Sequence, residues 1–225
     1  MTKSILGLIL ALVMTSCASV SVDEGVAHKT RQMPRIVYVT AFGAPSGSFE
    51  VDREGADLTE FKENLQLMLK TAIATDLTDR LIRARPGTTL AETKLENAWL
   101  VEGEFTRVKQ GSRLLRGVIG FGAGGTKLET RVRVYDLAHP TGRPFLTFTT
   151  TGGSNAEPGA ILSFTTDPLE IAIGGVSGVA HGLSEDTKRT AREITAELSD
   201  YMYRSGWISE DKWIEPKRDV GGDIW

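Results

Sequence analysis

One cysteine in 225 residues excludes an intramolecular disulfide and any multi-cysteine metal cluster. Histidine is almost as scarce: His28, His139 and His181 stand apart, none at ligand spacing from another, and no H-E-x-x-H occurs. A nucleophile elbow is missing too, since Gly175, Val176, Ser177 and Gly178 lack the G-x-S-x-G spacing. Acidic residues are numerous, but no carboxylate pair is marked out. The sequence therefore nominates no catalytic residue, no metal ligand and no cofactor, and the expectation is a protein that is not an enzyme. Positive charge is also short, with a formal net charge of -3, so nucleic acid is not the expected partner. No apolar run reaches the ~20 residues that a membrane-spanning helix needs.

What is present is ordinary globular composition, 40% hydrophobic and 24% charged. The N-terminus is more informative. Lys3 gives a positive start, Ile5 to Met14 an apolar run, and Thr15 and Ser16 small residues ahead of Cys17. This arrangement resembles the lipobox of bacterial lipoproteins, with Met14 in place of the usual Leu three residues before the cysteine. The resemblance implies cleavage before Cys17 and lipid on its sulfur, with fatty chains contributing about 0.8 kcal/mol per buried methylene. Ala18 follows the cysteine where Asp would retain the protein at the inner membrane. By the lipoprotein sorting rule, that implies the periplasmic leaflet of the outer membrane.

The mature chain divides into a polar, aperiodic stretch over 17–34, read as a lipidated tether, one domain over 35–208 and a polar tail over 209–225. Ile36, Val37, Tyr38, Val39 and Thr40 form a β-branched and aromatic run, hence a strand. Leu58, Phe61, Leu65, Leu69, Ala72, Ile73, Leu77 and Leu81 recur at helical spacing, with Asp57 available as a cap and Pro86-Gly87 as a stop. Trp99, Val101 and Phe105 alternate with acids, while Leu128, Thr130, Val132 and Val134 alternate with Lys127, Glu129, Arg131 and Arg133. A further strand follows from Phe145. Residues 184–205 carry Ala191, Ile194, Leu198, Tyr201 and Met202 on one helical face, capped by Ser184 and ended by Gly206. The order β-α-β-β-β-α predicts an α+β domain: a mainly antiparallel sheet of about four strands, with two helices on one face.

Gly120, Gly122 and Gly125 satisfy G-x-G-x-x-G, with Gly117, Phe121 and Gly124 around them. A dinucleotide site needs a helix N-terminus after the loop, and here an alternating strand follows, so the glycines read as a bend or bulge. Arg116 through Gly124, followed by Leu128 and the Val132, Val134, Asp136 strand, resembles the signature of bacterial lipoproteins in domain-of-unknown-function family 4410. The Gly103 strand, the lipobox and the C-terminal helix fit the same layout. That family brings no established activity with it.

Two further features are candidates. Arg107, Lys109, Arg113, Arg116, Lys127, Arg131 and Arg133 concentrate positive charge around the glycine loop, against one acid, Glu129. They could face lipid headgroups or an acidic partner, or form a solvated sheet face in which Glu102 and Glu104 offset Arg131 and Arg133. Gly174, Gly178 and Gly182 recur every four residues, which suits close helix contact or a simple glycine-rich loop. The leading expectation is a binding or assembly module with an envelope protein or polymer as partner. The others are a structural subunit of an oligomeric envelope complex, and a hydrolase or ligand-binding protein with a non-sequential site. The oligomeric state is not fixed by the sequence.

Overall fold

The computed structural model describes residues 19–22, 30, 32–87, 97–110, 126–153 and 181–218. Its strands are β1 (Ser19–Val22), β2 (Ile36–Val39), β3 (Phe49–Glu50), β4 (Ala84–Pro86), β5 (Ala98–Lys109), β6 (Lys127–Asp136) and β7 (Leu146–Gly153). The helices are α1 (Gly55–Arg80) and α2 (His181–Arg204).

The sheet runs in the order β1-β7-β6-β5-β2-β4, with β3 beside the far end of β5. From β5 to β1 every pairing is antiparallel, as alternation predicts for β5, β6 and β7, while the pairing of β1 with β7 is not foreseen by the sequence. The sheet is thus mostly antiparallel, as expected, but among the described residues it has seven strands where the sequence predicts about four, and its other side is parallel. Strand β2 is parallel to both β4 and β5, and β3 is parallel to β5, so the sheet is mixed. The cause is α1, which carries the chain from the end of β2 back to the start of β4 and so sets a parallel pair.

Helix α1 also stops earlier than the sequence pattern suggests. Leu81 caps it, its N–H donating to the Leu77 carbonyl, and Ala84 to Pro86 then join the sheet. Proline is tolerated there because β4 is the edge. At the other end the cap position is Glu54, with no side-chain cap, and Asp57 sits in the first turn, where its charge suits the helix dipole. Helix α2 begins three residues before Ser184, and Gly206 follows it with φ +74°, the left-handed conformation that ends helices.

Both helices lie on one face of the sheet. Phe61, Leu65, Leu69, Ile73 and Leu77 from α1, and Ala191, Ile194, Leu198 and Met202 from α2, share one core with Val37, Val39, Trp99, Val101, Phe105, Val132, Val134 and Phe148. A bulge between Phe105 and Arg107 lets β5 switch from odd to even inward positions, so Val108 and Leu128 still reach the core.

Two stretches that look peripheral in sequence are built in. Residues 19–22, expected in the tether, form β1 against β7, and Val20 is 1% exposed. The short Ser-Val-Ser-Val alternation is enough once a partner strand offers its free edge. The expected tail packs along α2 as far as residue 218: Trp213 stacks on Tyr203 at 5.1 Å, and the Val20 N–H donates to the Lys217 carbonyl at 2.9 Å.

Candidate functional site

One end of the sheet gathers the strand ends that the sequence marks as basic. Register places Ser19 opposite Thr151, Thr151 opposite Glu129, and Glu129 opposite Arg107. One step further out, Gly153 faces Lys127, Lys127 faces Lys109, and Lys109 faces Glu50. All the charged side chains here point to the sheet face away from the helices, because they alternate with core residues.

Their pairing is uneven. Arg107 Nε lies 2.8 Å from Glu50 Oε1, and Lys127 Nζ lies 2.6 Å from Glu129 Oε1. The Arg107 hydrogen bond, followed by the charges of Arg107, Lys109 and Lys127, holds the Glu50 carboxyl below its ordinary pKa. The same hydrogen bond raises Arg107. Lys109 and Lys127 stand directly across the ladder from each other, an arrangement that like charges oppose. Arg131 and Arg133, further along β6, both reach Glu104, at 3.6 Å and 2.9 Å. Glu102, which the alternation nominates for the same duty, instead accepts from the Tyr135 hydroxyl. That hydroxyl's pKa is raised by burial first and by this bond second. The patch thus splits into a balanced ladder at mid-sheet and a cation-rich strand end. Arg113 and Arg116 lie outside the described residues.

So do Cys17, Gly117, Gly120, Phe121, Gly122, Gly124, Gly125, Gly174 and Gly178. Gly182 falls in the first turn of α2.

Helix α2 carries a second polar feature that sequence reasoning missed. Asp186 is fully buried and accepts a 2.6 Å hydrogen bond from Thr126 Oγ1, with Arg189 Nη1 at 3.8 Å. Burial is the largest influence on its carboxyl and pushes the pKa up to about 6, against the Thr126 bond and the Arg189 charge. Farther along, Glu193, Glu197 and Asp200 form a buried acidic stripe that clasps the C-terminal strap. Arg218 Nη1 is 2.7 Å from Glu197 Oε2, and Arg218 Nη2 is 3.1 Å from Asp200 Oδ2. Trp213 Nε1 donates to Asp200, and the Lys217 N–H donates to Glu193. Burial raises the carboxyls of Glu193 and Glu197, and the strap's positive charges oppose that rise. The spacing 193, 197, 200 puts all three on one helical face, and that was the available signal.

Among the described residues no group of three or more His, Cys, Asp or Glu side chains is placed to hold a metal ion. No helix among them is long and apolar enough to cross a membrane.

The family described as "Domain of unknown function (DUF4410)" matches residues 19–172. The chain belongs to the DUF4410 family. The match starts at β1 and so takes in a strand whose sequence reads as tether. No curated protein matches this DUF4410 chain. Solved structures resemble it distantly. The PelC dodecamer from Paraburkholderia phytofirmans is 11% identical, with 77% of this chain and 97% of that one covered and a TM-score of 0.39. The hypothetical protein CT253 from Chlamydia trachomatis is 14% identical, with coverages of 75% and 98% and a TM-score of 0.42. The lipoprotein GNA1162 from Neisseria meningitidis is 11% identical, with coverages of 64% and 95% and a TM-score of 0.34. Similarity this distant transfers neither activity nor partner to the DUF4410 chain.

Proposed function

We propose that this chain is a non-enzymatic binding or assembly module of the bacterial envelope, anchored by lipid on Cys17 to the periplasmic leaflet of the outer membrane. Its partner would be an envelope protein or polymer. The observation that carries the reading is the position of β1. Its first residue, Ser19, comes two positions after the only cysteine, directly behind a leader with the charge, apolar run and small residues of a lipoprotein signal. Lipid on that cysteine would therefore be tied to a strand of the sheet. Fatty chains on one residue supply firm attachment, while the domain itself keeps a charged ladder in water.

Metabolic labelling with a fatty-acid analogue tests this directly. The native protein should take up label and stay with the membrane fraction, and Cys17→Ser should do neither. Mass spectrometry showing residue 17 unmodified in the native protein would overturn the reading. A screen of envelope extracts by crosslinking then identifies the bound neighbour.

A further inference from the structure

We infer that the domain stands on its own membrane with the Lys109–Lys127 end of the sheet down, those two lysines meeting the phosphates of anionic lipid headgroups. The inference rests on the Cys17 anchor proposed above, and it adds which surface meets the bilayer and what that surface recognises.

Chain direction is the first argument. Strand β1 is antiparallel to β7, so going back from Val22 to Ser19 along β1 means going from Phe148 toward Thr151 along β7. The chain is heading for the end of the sheet marked by Gly153, Lys127 and Lys109 when it reaches Ser19. Two residues more, at most ~7 Å of chain, lead to Cys17. Lys127 lies two strands from β1, about 10 Å sideways at the usual strand spacing. The opposite end, where the turn through Thr141 and Gly142 joins β6 to β7, is some way off: the ten residues of β6 span ~30 Å.

Charge is the second, independent argument. At the anchored end the β3, β5 and β6 ladder residues comprise Arg107, Lys109 and Lys127 against Glu50 and Glu129. Glu50 is taken by Arg107 and Glu129 by Lys127. That leaves Lys109 between another lysine on one side and, on the other, Glu50, whose carboxylate is already hydrogen-bonded to Arg107. Cross-strand like charges destabilise a sheet in water, but a phosphate set between two ammonium groups reverses the sign of the interaction. An anionic lipid surface supplies a plane of such phosphates within reach of an anchor this short.

The test uses the full-length lipidated protein in phosphatidylethanolamine vesicles containing phosphatidylglycerol and a headgroup-nitroxide lipid. One fluorophore is placed at Gln110→Cys, beside the lysines, and in a second protein at Thr141→Cys, at the far turn. Quenching should be strong at position 110 and weak at position 141, and the contrast should fall when Lys109→Glu and Lys127→Glu are combined. Equal quenching at the two positions, or stronger quenching at 141, would overturn the orientation. A contrast indifferent to the double glutamate change would overturn the role of the lysines. Failure of the anchor looks different: the protein then leaves the vesicles altogether, with or without Cys17→Ser.

Discussion

Gly103 and Phe42 share one space. A Cβ added to Gly103 would lie 2.6 Å from Phe42 Cε1 and 2.5 Å from the Arg131 carbonyl oxygen. The neighbouring backbone explains the closeness, since the Gly43 N–H donates to the Gly103 carbonyl and the Phe105 N–H donates back to the Gly43 carbonyl. The loop after β2 is thereby drawn onto β5, and its phenylalanine fills the gap that the missing side chain leaves. Gly103→Ala should cost about 1–3 kcal/mol by overpacking. Urea denaturation measures it, and a midpoint equal to the parent's would refute the crowding. Phe42→Leu in the same chain should recover part of the loss.

The strap should matter more than its place near the end of the chain suggests. Arg218→Ala leaves Glu197, 3% exposed, without its partner. Because Arg218 itself is partly in water, a loss of about 1–3 kcal/mol is expected, below that of a fully buried pair. Glu193 and Glu197 have raised pKa values, so acid protonates them in the folded protein before it does so in the unfolded chain. The loss should therefore shrink as pH falls toward 4, and thermal melts at pH 7.5 and pH 4 (round values bracketing ordinary carboxylate titration) would show it.

Asp186 gives the opposite experiment, a substitution that stabilises. Its carboxyl titrates near 6 in the fold, against 3.8 ordinarily, so the folded state holds an extra proton between those values. That contribution to stability is present at low pH and is lost as pH rises through about 6. Asp186→Asn removes the buried charge and can still bond to Thr126. It should raise stability by about 1–3 kcal/mol at neutral pH and by little or nothing near pH 4. Equal melting temperatures for both proteins at neutral pH would contradict the burial argument.

At the ladder end, stability and the proposed lipid contact should pull apart. Lys109→Glu makes the pair with Lys127 opposite in charge but sets a like charge across from Glu50, so the two effects, about 0.2–1 kcal/mol each, should nearly cancel. The difference from the parent should accordingly stay small in low and in high salt. A variant clearly more or less stable than the parent would contradict that balance.

The helices are legible in the sequence because their burial is periodic. Leu65, Leu69 and Ile73, or Ile194, Leu198 and Met202, announce a face by spacing alone. Strands β5, β6 and β7 are legible for the same reason, whereas β1 reads as tether. Strand β4 is not, because Ala84, Arg85 and Pro86 are too few to alternate and proline argues locally against a strand. Parallel pairing is hidden with it, since direction depends on where α1 delivers the chain. Of the candidate site, the basic residues are visible as composition but their partners are not. Glu50, which takes Arg107, lies 57 residues away in a two-residue strand. The strap is hidden similarly: Lys217 and Arg218 look like solvated tail until a helix that precedes them offers three carboxylates.

Val20 sits between the β7 ladder on one side and, on the other, its own hydrogen bond to the strap at Lys217. A pull delivered through the residues before Ser19 runs lengthwise along β1 and loads those bonds together, in shear, instead of peeling them one after another. The strap relays part of the load through Arg218 into α2. Under the proposed anchor, motion of the membrane would be felt as tension along β1 and, through the strap, in α2, and the strand that looked like slack would be a mechanical coupling.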